Sequence, residues 1–265
     1  MASCTNMADE AGEGEAPGPA KVTSDESEAP APKPTEVPTP VSTEAPTPKP
    51  TQAPTPTPLP AMSLTDAQQK EINIFLSNFA EQGFYWNTNF SVYDYEFDRL
   101  VHFAYIHTKV NAWEKMSVEM QGENSYYVMS LDRFNDVMKR FFGLEFTEQN
   151  VKDSYSGGQH EFFNNKKFYF EAADGEQYVE FAVADAMYEL DGSYMVDFSV
   201  YEIRDFWEYD DYGVVLDEGY KMRPEKAAND SRLEKIGSGQ AIVTPYKYNN
   251  RDSYHLEKYW VQSMR

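Results

Sequence analysis

Residues 166–204 read KKFYFEAADGEQYVEFAVADAMYELDGSYMVDFSVYEIR, and their period decides the fold. Aromatic and β-branched residues crowd into short runs, and Asp-Gly stands between the runs at 174–175 and 191–192. A two-residue type I′ turn needs positive φ at both central positions, which Asp-Gly tolerates, so the stretch predicts antiparallel hairpins. Within YMVDFSVYEI (194–203), Met195, Asp197, Ser199 and Tyr201 alternate with Val196, Phe198, Val200 and Glu202. That period of two marks a strand with two unlike faces. Downstream, RLEKIGSGQAIVTPYKY (232–248) and SYHLEKYWVQ (253–262) predict two further strands around Asn249-Asn250-Arg251.

Upstream the period lengthens. In SLTDAQQKEINIFLSNFAEQGF (63–84), Thr65 with Gln68 three residues on forms a capping-box pattern. Ile72, Phe75, Leu76 and Phe79 then fall at i, i+3, i+4 and i+7, the spacing of one buried helical stripe, and Gly83 is a plausible stop. YDYEFDRLVHFAYIHTKVNAW (93–113) repeats the spacing at Phe97, Leu100, Val101 and Ala104. After a short candidate strand, SYYVM (125–129), Ser130 can cap a third helix with Leu131, Phe134, Val137, Met138 and Phe141 on one face and Gly143 at its end. The expectation is an α+β fold over 62–265: three N-terminal helices, then a five- or six-strand antiparallel meander with helices on one face. This order of elements resembles the cystatin-like and NTF2-like folds, in which a curved sheet wraps a helix and can form a pocket. No motif accompanies the likeness, so it is a fold-level analogy and implies no activity.

Residues 1–60 are of another kind. They contain no Phe, Tyr or Trp and hold 14 of the 16 prolines. Such a segment cannot bury enough apolar surface to offset its ordering entropy, so it reads as disordered or extended. Four octads fill 27–58: SEAPAPKP, TEVPTPVS, TEAPTPKP and TQAPTPTP. Alternating proline favours polyproline II, and at that rise four octads reach roughly 100 Å, a semi-stiff spacer. The net charge of −21 argues against nucleic acid, whose phosphates need a basic face, and favours solubility.

A spacer implies an attachment on its far side, and Cys4 is the one cysteine of the chain. Ala2-Ser3-Cys4 followed by a polar run and a Pro/Thr stalk resembles the layout of Gram-positive surface lipoproteins, in which the cysteine is diacylated. The hydrophobic segment that precedes such a cysteine is not in this sequence. The resemblance implies membrane attachment through a lipid on Cys4, an extracellular location, and a cell-wall or other extracellular ligand for the folded part.

Chemistry-bearing motifs are sparse. His102 and His107 are five apart, about 140° round a helix, where zinc prefers i, i+4 on one face; both read as structural or surface residues. IGSGQ around Ser238 lacks the glycine pattern of a nucleophile elbow, and no catalytic residue, metal site or cofactor is expected. The most unusual stretch is RDFWEYDDYGVVLDEGY (204–220). Trp207, Tyr209 and Tyr212 stand among Asp210 and Asp211, so rings that can stack on sugars lie beside carboxylates that can bond hydroxyls. These five are candidate ligand contacts; otherwise the stretch is a polar loop whose aromatics pack on the sheet. Binding or accessory protein is the leading expectation. A glycan hydrolase using acidic residues and a structural subunit of a surface assembly are the rivals.

Overall fold

A computed structural model describes residues 59–82, 84, 88–158, 160–172, 179–204 and 212–264. Helix α1 (Asp66–Ala80) leads to β1 (Asn89–Ser91), α2 (Phe97–Asn111), β2 (Ser117–Gln121), β3 (Asn124–Ser130), α3 (Leu131–Phe142), α4 (Glu148–Ser154), β4 (Glu161–Asn164) and β5 (Lys167–Glu171). Then come β6 (Glu180–Leu190), β7 (Ser193–Ile203), α5 (Tyr212–Tyr220), α6 (Pro224–Asn229), β8 (Leu233–Tyr248) and β9 (Arg251–Ser263). The fold is α+β. Its strands form two antiparallel sheets, ordered β1-β9-β8-β7-β6 and β2-β3-β5-β4. The expected meander is β6 to β9, extended by β1 at the far edge. The earlier hairpins make a second sheet that the single-sheet expectation lacked.

Turn chemistry fixes the registers. Asp191 (φ 26) and Gly192 (φ 87) join Leu190 to its partner Ser193. Asn249 (φ 49) and Asn250 (φ 62) join Tyr248 to Arg251. Asn165 (φ 48) and Lys166 (φ 60) do the same for Asn164 and Lys167. Asp174-Gly175 and Gly83 lie outside the described residues.

Helix α1 starts as expected, with the Thr65–Gln68 capping box formed in both directions. Its apolar stripe meets Leu100 and Phe103 of α2, Phe134 and Phe141 of α3, and Phe198, Leu256 and Tyr259 on the inner face of the five-stranded sheet. Phe79 sits among the rings of Phe103, Phe142 and Tyr259 at 5.1, 5.8 and 5.6 Å. Each fully buried side chain of this kind contributes about 1.5–3 kcal/mol. The volume that a curved sheet could leave hollow is here filled with rings.

A second face of α1 is polar and also buried. Gln69, Asn73 and Ser77, at i, i+4 and i+8, serve the free edge of β6. The Ala184 amide donates to Asn73 Oδ1 at 2.9 Å, the Ala182 amide donates to Ser77 Oγ at 2.9 Å, and Gln69 Nε2 donates to the Ala184 carbonyl at 2.9 Å. Asn73 Nδ2 also donates to the Tyr220 and Met222 carbonyls. An open strand edge invites pairing with other chains; side chains of α1 occupy part of this one. The chain segment before α1 extends the cover, because the Met62 amide donates to the Met187 carbonyl at 2.8 Å. Arg223, just before α6, donates from Nη2 to the Leu64 carbonyl (2.8 Å) and to Asp66 (2.7 Å).

The stretch 204–220 departs from a plain polar loop in its described part, which is helix α5. Gly-Val-Val near its start and Gly219 near its end argue against a helix by propensity. Tertiary packing overrides that: Val215 is buried with Phe181, Tyr201, Ile203 and Leu233 on the outer face of the sheet. Gly219 is required there, since a Cβ would lie 2.6 Å from the Phe181 ring.

Candidate functional site

Of the sequence-derived ligand candidates, Trp207, Tyr209, Asp210 and Asp211 lie outside the described residues, as does Cys4. Tyr212 opens α5 and is 40% exposed. His102 is exposed on α2. His107 is a core residue, stacked on Phe103 and edge-on to Phe141, with Asn111 Nδ2 3.2 Å from its Nδ1.

The structure draws attention to a place without a local motif. A groove of about 420 Å³ runs between α1, the end of α3 and the start of β9. One wall is a third face of α1, on which Ala67, Lys70, Glu71, Ile74 and Asn78 recur at helical spacing. The opposite wall is Arg140 and Phe141 of α3 together with Arg251, Asp252 and Tyr254 of β9. The Asn249-Asn250 turn brings Arg251 and Asp252 to the rim.

The floor is aromatic. Phe75 and Phe141 stack at 6.0 Å, and Tyr254 meets Phe75 edge-on at 5.6 Å. Volume and mixed lining suit a small-molecule site. Tyr254 is 8% exposed, and no hydrogen-bond partner for its hydroxyl occurs among the described residues. Burial, with Glu71 next in importance, pushes that hydroxyl up to about 12, so it is a donor at any ordinary pH. Three cations and two carboxylates line the groove in a chain that is strongly acidic. Asp252 is held by Lys247. The guanidinium of Arg140 lies over the rings of Phe141 (4.8 Å) and Tyr248 (5.4 Å), and neither Arg140 nor Arg251 has an ion-pair partner among the described residues. The α3 end that carries Arg140 is fixed by Tyr246, whose hydroxyl donates to the Arg140 carbonyl at 2.6 Å. The groove can therefore hold a flat apolar body and meet negative charge at its rim.

A second unusual group lies at the C-terminal end of α1. Glu81 is 8% exposed and accepts a 2.7 Å hydrogen bond from the Tyr220 hydroxyl. Desolvation raises its carboxyl from 4.5 to about 7, Tyr220 pulls the other way, and Glu180 adds to the rise. The negative end of the helix dipole also disfavours its charged form. Its neighbour Gln82 has both side-chain polar atoms buried with no partner among the described residues. No His, Cys, Asp or Glu cluster with metal-holding geometry occurs among the described residues, and none of their helices is long and apolar enough to cross a membrane.

Among the described residues, fold and groove define an α+β protein with a concave, cation-rimmed aromatic groove. Compared with protein-family models, curated proteins and solved structures, the chain matches none of them.

Proposed function

We propose that this chain is a lipid-anchored protein of a bacterial cell surface that binds an extracellular ligand. Cys4 takes the lipid, the Pro/Thr octads act as spacer, and the groove between α1, α3 and β9 receives the ligand. The observation that carries the binding reading is the groove itself: among the described residues, its two arginines have no ion-pair partner and the Tyr254 hydroxyl has no hydrogen bond, and they stand around an aromatic floor. The order of cysteine, spacer and folded part supports the anchor. Metabolic labelling with a radioactive fatty acid, in cells expressing the chain behind its natural upstream sequence, tests it. Label is expected in the wild type and lost in Cys4→Ala; label that survives the substitution removes the anchor from the proposal.

One observation favours the assembly reading as well. Edge strand β2 exposes Val118 (55%) and Met120 (62%) beside the half-exposed Trp113. An edge with apolar side chains is a natural place for strand pairing between copies. Light scattering of wild type and Met120→Lys at rising concentration tests it: a concentration-dependent dimer lost in the variant supports the reading, and a monomer throughout removes it.

A further inference from the structure

We propose that the groove is a carboxylate-binding site for a ligand of dipeptide size, with an apolar or aromatic group next to the charge. The inference rests on the groove being the binding site and names the chemistry it selects.

The rim supplies the charge preference. A guanidinium presents a planar fork of donors that matches a carboxylate in two-point geometry, and such charge-assisted bonds are roughly twice as strong as neutral ones. Arg140 is preorganised for this, because its guanidinium rests on the Phe141 and Tyr248 rings and its backbone is tied by Tyr246. Arg251 faces the same groove from the hairpin end. Tyr254 offers a hydroxyl donor that nothing else in the described chain uses. Arg140, Arg251 and Tyr254 thus line one groove with Phe75 and Phe141.

The charge balance selects among anions. Glu71 and Asp252 offset two of the three cations that line the groove, and the single positive charge left is matched by a singly charged carboxylate and over-compensated by a dianionic phosphate. The aromatic floor gives an apolar body a place to bury area, at roughly 25 cal/mol per Å². Volume sets the size, since about 420 Å³ admits one or two residue-sized units and not a folded partner.

The test uses the full chain without lipid and N-acetylphenylalanine as probe, followed by amide chemical shifts. Saturable shifts centred on Phe141, Arg251 and Tyr254 are expected. N-acetylphenylalaninamide, which lacks the charge, should bind at least roughly tenfold more weakly, as should the acid to Arg251→Gln and Arg140→Gln. Arg251 sits on an exposed turn, so its variant leaves the core intact; a melting curve checks the fold of the Arg140 variant. Equal binding of acid and amide at the groove overturns the carboxylate assignment while leaving the groove a binding site. Tighter binding of phenyl phosphate than of the acid overturns it in favour of phosphate. Absence of any saturable shift at the groove overturns both this inference and the placement of the ligand there, and leaves the lipid anchor to its own labelling test.

Discussion

Replacing Glu81 with glutamine should stabilise the protein, and the gain should grow with pH. In the unfolded chain the carboxyl ionises near 4.5; in the folded chain it holds its proton up to about 7. Between these values the native state binds more protons than the unfolded one. Stability therefore falls as pH rises through that window and levels off above it. The full shift of about 2.5 pH units corresponds to about 3 kcal/mol at pH 8, and the part acquired between pH 5 and pH 8 is about 2.5 kcal/mol. Glutamine keeps an oxygen to accept the Tyr220 hydroxyl and carries no charge to desolvate. Urea unfolding of wild type and Glu81→Gln at pH 5 and pH 8 measures the effect. The variant should gain about 2.5 kcal/mol more at pH 8 than at pH 5, equivalent to roughly 5–10 °C in melting temperature for a chain of this size. Histidines contribute alike to both proteins and cancel in the comparison. The same gain at both pH values, or a variant less stable at pH 8, would refute the reasoning.

His107 should produce the opposite slope. Burial, then Arg140 and Arg133, lower its pKa from 6.5 to about 3, so the unfolded state takes up the proton first and stability is lost as pH falls from 6.5 toward 3. His107→Phe should remove about 2.5 kcal/mol of the loss seen between pH 7 and pH 4.5 in urea titrations; an unchanged acid limb would speak against it. The buried Tyr259 hydroxyl has no partner among the described residues, so Tyr259→Phe should leave stability unchanged or raise it by about 1 kcal/mol; a loss above that value would mean the hydroxyl is satisfied after all. Gly219→Ala drives a methyl into the Phe181 ring and should cost about 1–3 kcal/mol, read as a fall in melting temperature.

The elements most legible in the sequence are those whose signal is local. The α1 capping box, the stripe at Ile72, Phe75, Leu76 and Phe79, and the Asp191-Gly192 turn each announce themselves within ten residues. Helix α5 does not, because Val214, Val215 and Gly219 are poor helix formers, and the packing of Val215 and Gly219 that outweighs this comes from Phe181 and Ile203 in another part of the chain. Gln69, Asn73 and Ser77 look like a solvated helix face, yet they are buried, and only the presence of an open β6 edge explains them. The division of strands between two sheets is likewise set by which hairpin the helices bury. The groove is the extreme case. Its residues come from 67–78, 140–141 and 251–254, and no spacing rule links an arginine ending one helix to another that begins the last strand. The acidic–aromatic stretch at 207–212 stands out because its residues are adjacent, and of its five candidate contacts Tyr212 alone lies among the described residues.

The Met62 amide bonded to Met187 and the Arg223 grip on Leu64 and Asp66 have a mechanical meaning. Any pull on the chain ahead of residue 59 arrives at these bonds before it reaches the apolar stripe of α1. They tie the incoming strand to the sheet edge and to the start of α6, so tension is shared among polar contacts that can break and reform. The apolar stripe of α1, on which the core depends, carries load only after they have parted. Tension from that direction would first peel a few residues from the β6 edge while the groove keeps its shape.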